Sequence, residues 1–197
     1  MHRLETLRQF PFVDVVVSGE ADTIVVDLIR GLLEGRVPSA PGVYVRGTVS
    51  SGLLPQPLGN AALVHDLDTL PVPDYAAYFE QLVSRDAEHS VEPCILFESA
   101  RGCWWGMKAH CTFCGLNGTS MAFRSKSTAR VLSELETLHQ RHPECMIIVV
   151  DNILDHKYFH DLIPELGRRP DRYRLFYEVK SNLTKPQLLA LRQAEST

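Results

Sequence analysis

Three cysteines, Cys103, Cys111 and Cys114, are spaced C-x7-C-x2-C in the stretch Ser-Ala-Arg-Gly-Cys-Trp-Trp-Gly-Met-Lys-Ala-His-Cys-Thr-Phe-Cys-Gly-Leu-Asn-Gly-Thr-Ser, residues 99–120. Three thiolates on one loop suit three irons of a 4Fe–4S cubane, leaving the fourth iron without a protein ligand and open to a small molecule. Zinc is the competing chemistry. It wants four ligands, and His110, His142, Cys94 or Cys145 would have to complete the set. Only one C-x2-C knuckle is present, where paired knuckles would point firmly to zinc, and the spacing leaves both chemistries open, with reduced, unliganded thiols as a third reading. Gly102, Gly106 and Gly115 suit a loop that folds tightly and needs unusual backbone angles. Arg101, Lys108, Arg124 and Lys126 place positive charge near an anionic cluster or an anionic carboxylate.

The loop needs a scaffold, and the flanking pattern supplies one. Ile95, Leu96 and Phe97 predict a strand immediately before it. Residues 128–140 predict a helix with Ser127 as N-cap and Val131, Leu132, Leu135 and Leu138 on one face. A strand over 146–150, a helix over 158–166 ended by Gly167, and a strand over 175–179 follow. Thr184-Lys185-Pro186-Gln187 has capping-box spacing and a first-turn proline, opening a last helix through Leu191. Three successive β/α units imply a parallel sheet, and the fold class is α/β. Upstream, residues 13–17 read as a strand, Ile24 to Leu33 recur at helical spacing before Gly35, and residues 43–45 read as a second strand. Residues 47–73 are rich in Gly, Pro and Ser and read as a linker; Asp74 is placed to cap a short helix carrying Tyr75, Tyr78, Phe79 and Leu82.

Composition bounds the function classes. The chain has 197 residues, 45% hydrophobic and 22% charged, values that exclude a disordered or collagen-like chain. A net charge of −4 is a poor match for non-specific nucleic-acid binding. No apolar run approaches the ~20 residues that span a bilayer, and residues 1–10 carry charges without the apolar core of a secretory signal. Five cysteines, an odd number in a chain of this size, fit a reducing cytoplasm better than a disulfide scaffold. Nucleic acid and membrane are therefore not expected as partners.

A cysteine triad with an aromatic just before the third cysteine, in the loop after the first strand of a β/α array, resembles the radical S-adenosylmethionine (SAM) superfamily. The longer text is more specific: Gly102-Cys103-Trp104-Trp105-Gly106, Cys111-Thr112-Phe113-Cys114-Gly115, then 121–127, 150–154 and 176–183. It is similar to the cobalamin-binding radical SAM maturases of ribosomally made peptides, which use the seven-residue gap. Residues 11–14, 18–20, 66–68 and 71–75 look like the end of that family's cobalamin domain and its linker.

The resemblance implies the first half of a partial (β/α)6 barrel, preceded by the tail of a Rossmann-like cobalamin-binding domain. It divides the chain into 1–46 (cobalamin-binding α/β domain, C-terminal part), 47–92 (linker) and 93–197 (N-terminal half of the barrel). Most of the cobalamin domain is expected before Met1 and the rest of the barrel after Thr197. Cys103, Cys111 and Cys114 would ligate a 4Fe–4S cluster, and SAM would chelate the open iron. An electron from the reduced cluster would cleave SAM to methionine and a radical that abstracts a substrate hydrogen. Phe113, Gly115, Asn117, Asp151, Asn152, Glu178, Lys180 and Asn182 are the implied cofactor-binding positions; Asp151 and Asn182 have the competing role of capping the following helices. Trp104 and Trp105 would shield the cluster or simply pack on the barrel. Cys94 and Cys145 read as small buried apolar residues, and His156 lacks the wider spacing of a cobalt ligand. The implied reaction is cobalamin-dependent C-methylation, with a precursor peptide as substrate and an external electron donor; no catalytic side chain is assigned. The alternatives are a zinc-stabilised α/β binding module and an inactive fragment.

Overall fold

The computed structural model describes residues 2–36, 39–46, 59–85, 91–115, 121–169 and 173–194. Contacts divide the chain into two units, residues 1–65 and 66–197.

In the first unit, helix α1 (His2–Gln9) precedes strand β1 (Val15–Val17), helix α2 (Val25–Leu33) and strand β2 (Val43–Val45). β1 and β2 pair antiparallel, with Val16 opposite Tyr44. Arg46 locks the unit: its guanidinium donates to the carbonyls of Leu7 (2.6 Å) and Phe10 (2.5 Å), satisfying acceptors left over at the end of α1. Gly42 has φ +84°, and a Cβ there would lie 2.3 Å from Ala61 N and 2.5 Å from Ser18 O, so only glycine lets residues 18, 42 and 61 cross this closely. Ala61 and Val64 are buried, although they fall in the stretch that reads as linker.

The second unit carries the parallel sheet. After a 3-10 turn (Leu67–Thr69) and helix α3 (Ala76–Ser84), strand β3 (Cys94–Phe97) enters the sheet. Asp74 accepts from Ala76 N at 2.9 Å and Tyr75 occupies the flanking position of α3. Helix α4 (Thr128–Arg141), strand β6 (Met146–Val149), helix α5 (Leu162–Gly167), strand β7 (Leu175–Phe176) and helix α6 (Lys185–Ala194) complete it. The order is β3-β6-β7, all parallel, with Leu96, Ile148 and Phe176 in one row.

Three boundaries differ from the periodicity reading, each for a local reason. The helix expected over 158–166 is a 3-10 turn (His156–Phe159) followed by α5, because Asp155 and Asp161 each cap their own segment and Pro164 must sit in a first turn, where its missing N–H is not needed. The third strand stops at Phe176, opposite Ile148 and one residue short of the end of β6; one hydrogen bond, Leu154 N to Glu178 O (3.0 Å), continues the link beyond it. A two-stranded ribbon, β4 (Ala100–Arg101) with β5 (Arg124–Ser125), is too short to show any periodicity.

The core lies on one face of the sheet. Ile95, Phe97, Ile147 and Val149 pack against Val131, Leu135 and Leu138 of α4, Leu162, Ile163 and Leu166 of α5, and Tyr158. On the opposite face Leu96 and Phe176 remain about half exposed (49% and 50%). Among the described residues no helix is long and apolar enough to cross a membrane.

Candidate functional site

The cysteine loop leaves the sheet at the carboxyl ends of its strands, the end where α/β folds gather functional groups. The β4–β5 ribbon closes its base by pairing Ala100 with Ser125 and Arg101 with Arg124. Gly102 follows with φ +83°; a Cβ there would lie 2.3 Å from Ala122 O, so the returning strand passes too close for any other residue.

Cys103 is held on every side. Asn152 Nδ2 donates to the Gly102 carbonyl (3.2 Å), Trp104 Nε1 donates to the Leu154 carbonyl (3.0 Å), and the Gly106 amide donates to Cys103 Sγ (3.2 Å). The Lys180 ammonium sits 4.2 Å from the Trp105 ring centroid, a cation–π contact from the chain beyond β7. Trp104 also meets His156 edge-on at 4.5 Å. Cys111 and Cys114 are joined by a turn, Cys114 N to Cys111 O (3.1 Å), and Phe113 between them is 91% exposed. All three thiols are free and partly exposed.

An open cleft of about 620 Å³ adjoins the loop, its lining including Trp104, Trp105, Lys108, Arg124, His156 and Asn182. Asp155 accepts from Ser125 Oγ (2.5 Å) and Lys157 N (3.0 Å), fixing β5 to the turn beyond β6.

Beneath the loop is a buried polar knot. Asp151 is 3% exposed; one carboxylate oxygen accepts from Ser99 N (2.8 Å) and Ala100 N (2.9 Å), the other from Ser99 Oγ. Burial pushes the Asp151 carboxyl up to about 6 in spite of these donors. Tyr158 Oη shares its single proton between the Ser99 and Lys126 carbonyls (3.1 and 2.9 Å), and burial raises the Tyr158 and Tyr177 phenols above the usual range. Lys126 Nζ donates to Glu134 (2.7 Å), a buried ion pair that Arg130 shares.

The structure therefore brings Asn152, Lys180 and Asn182 to the Cys103 side of the loop. It leaves Phe113 and Gly115 exposed and Glu178 in contact through its backbone only among the bonds described. Asn117 lies outside the described residues. Asp151 caps no helix; its carboxylate is occupied by the bend between β3 and β4. Ser99, Asp155 and Tyr158, which carry much of this geometry, show no pattern in the sequence, because their partners lie 30 to 59 positions away.

The donor set fits an iron–sulfur cluster in kind: three soft thiols on one loop, uncommitted to disulfides, with a backbone N–H directed at the first sulfur. Among the described residues no three His, Cys, Asp or Glu side chains converge as they would on a single ion. A cubane spreads its thiolates over separate irons and does not require that convergence. Of the four groups considered as a fourth zinc ligand, His110 lies exposed in the loop itself, directly before Cys111, whereas Cys94 opens β3 and Cys145 directly precedes β6, at the far end of the strands. A four-residue strand separates them from the loop by roughly 13 Å. His142 stacks on Phe79 at 4.2 Å, ending α4 near that same far end.

Comparison with models of known protein families finds no match, and comparison with curated proteins finds none. Solved structures do match. Two are of the cobalamin-dependent S-adenosylmethionine radical enzyme OxsB, one with aqua-cobalamin bound and one with aqua-cobalamin and S-adenosylmethionine bound. The chain shares their α/β fold. Each match has a TM-score of 0.67 and 16% identity, covering 98% and 99% of this chain. The chain spans 28–29% of the length of those structures. The expected α/β class with a parallel sheet is thus the one observed, matched along nearly the whole chain.

Proposed function

We propose that this chain forms part of a cobalamin-dependent radical SAM enzyme that modifies a ribosomally made peptide, most simply by methylating an unactivated carbon. The observation that carries this reading is the C-x7-C-x2-C loop at the carboxyl ends of a parallel β/α sheet, in a chain whose fold matches a cobalamin-dependent SAM radical enzyme. Cys103, Cys111 and Cys114 hold a 4Fe–4S cluster. When bound, the cluster supplies the electron that breaks SAM at its sulfonium, and cobalamin supplies the methyl group. The chain's own residues orient and shield: the indoles of Trp104 and Trp105 cover the loop on its cleft side, and Lys108 and Arg124 bring positive charge to an anionic site. Asn182 reaches the cleft and suits hydrogen bonding to a polar ligand there. Asp151 acts through structure, holding the strand–loop bend from below.

The test is an oxygen-free preparation reconstituted with iron and sulfide. About four irons per chain, with broad absorption near ~400 nm, is the expected result. SAM and a reductant should then yield 5′-deoxyadenosine, and methyl transfer to a peptide should require added methylcobalamin. Stoichiometric zinc without iron would point to the binding-module alternative, and iron uptake without 5′-deoxyadenosine would point to an inactive piece.

A further inference from the structure

The two halves of the cysteine loop are held very differently. Around Cys103, restraints arrive from the preceding carbonyl (Asn152), the next side chain (Trp104 to Leu154 O), the one after it (Trp105 under Lys180) and its own sulfur (Gly106 N). Asn152 and Leu154 follow β6, and Lys180 follows β7, so both later strands of the sheet position the first thiol. Around Cys111 and Cys114 the described contacts amount to one local turn, with Phe113 out in solvent.

We propose that Trp104 and Asn152 are positioning residues that preset Cys103 as the anchoring thiol of the cysteine loop. This rests on the radical SAM reading above and deepens it. A preset thiol requires less ordering at the moment of binding than a free one, so it raises affinity for the metal without touching it, and affinity differences among variants of one site are expressed mostly in the release rate. Removing Trp104's N–H leaves the Leu154 carbonyl without that donor while keeping an aromatic ring in place.

The experiment compares wild type, Trp104→Phe, Asn152→Ala and, as a control away from the loop, Gln140→Ala in the full chain. Iron per chain, the rate of iron release to a ferrous chelator, and the thermal midpoint of the iron-free chain are measured for each. Trp104→Phe and Asn152→Ala should each release iron about fivefold faster, the scale of one lost hydrogen bond, with the iron-free midpoint within about 1 °C of wild type, less than the ~2–4 °C that an equal general destabilisation would produce. Gln140→Ala, whose side chain bonds Glu136 on the exposed surface of α4, should behave as wild type. Wild-type uptake with unchanged release in both variants overturns the positioning role and leaves the radical SAM reading standing. So does faster release accompanied by a proportionate fall in the iron-free midpoint, the mark of general destabilisation. Failure of the wild type to take up iron overturns both. Should Trp104→Phe fail to fold, Asn152→Ala, which restrains the loop from the other side, carries the same test.

Discussion

Asp151 shows how one residue can be both buried and titratable. Its folded carboxyl lies at about 6, above the 3.8 of an ordinary aspartate, because lost hydration outweighs three donated hydrogen bonds. Between those values the folded state holds the proton more tightly than the unfolded chain. Its stabilising contribution is whole below about pH 4 and is lost as pH rises through about 6, a difference of about 3 kcal/mol. Denaturant melts from pH 4 to 7 should therefore show this loss in wild type and not in Asp151→Asn, whose amide oxygen still accepts the two backbone N–H groups. Equal pH slopes in the two proteins would contradict the assignment. The cysteines divide in the same way by place. Cys111→Ala should abolish iron retention in the reconstituted chain, whereas Cys145→Ala, at the other end of the sheet and buried in the core cluster, should keep iron and lose only packing.

The elements around the site are pinned by buried polar contacts as well as by the apolar core. Ser127 Oγ caps α4 by accepting Arg130 N (3.1 Å), and its own amide donates to Asp68 (2.8 Å), so the helix start is tied to the preceding segment. Within α4, Glu134 is fully buried and carries both Lys126 and Arg130. Glu134→Ala would leave Lys126 buried without its counter-charge, and should lower stability by about 3–5 kcal/mol, measured by urea unfolding. Ser127→Ala should cost only about 1 kcal/mol. At the ribbon, Gly102→Ala should disturb the loop through its clash with Ala122 O, seen as lost iron uptake with the far-ultraviolet circular dichroism of the helices retained.

At the scale of the molecule, the contacts separate at His65–Asp66, and the second unit holds its own continuous core of sheet, α4, α5 and Tyr158. Residues 66–197 expressed alone should therefore unfold in one cooperative thermal transition and take up iron as the full chain does. A non-cooperative melt would show that the first unit is needed for folding. The half-exposed row of Leu96 and Phe176 on the open sheet face is unusual for parallel strands, which are ordinarily covered on both faces.

Much of this protein was legible in residue order. The cysteine spacing, the Ser127 cap, the capping box at Thr184 and the three β/α units depend on neighbours a few positions apart, and side-chain periodicity reports such contacts directly. The roles of Asp151, Trp104 and Lys180 were not. Asp151 sits where a helix cap or a ligand contact is the natural expectation, and only folding brings Ser99 and Ala100 to it across 51 and 52 positions. The antiparallel pairing of β1 with β2, the β4–β5 closure of the loop and the clamp around Cys103 likewise came from tertiary structure. Each depends on a long-range approach of backbone groups, for which short strands and single hydrogen bonds leave no repeating mark in the sequence.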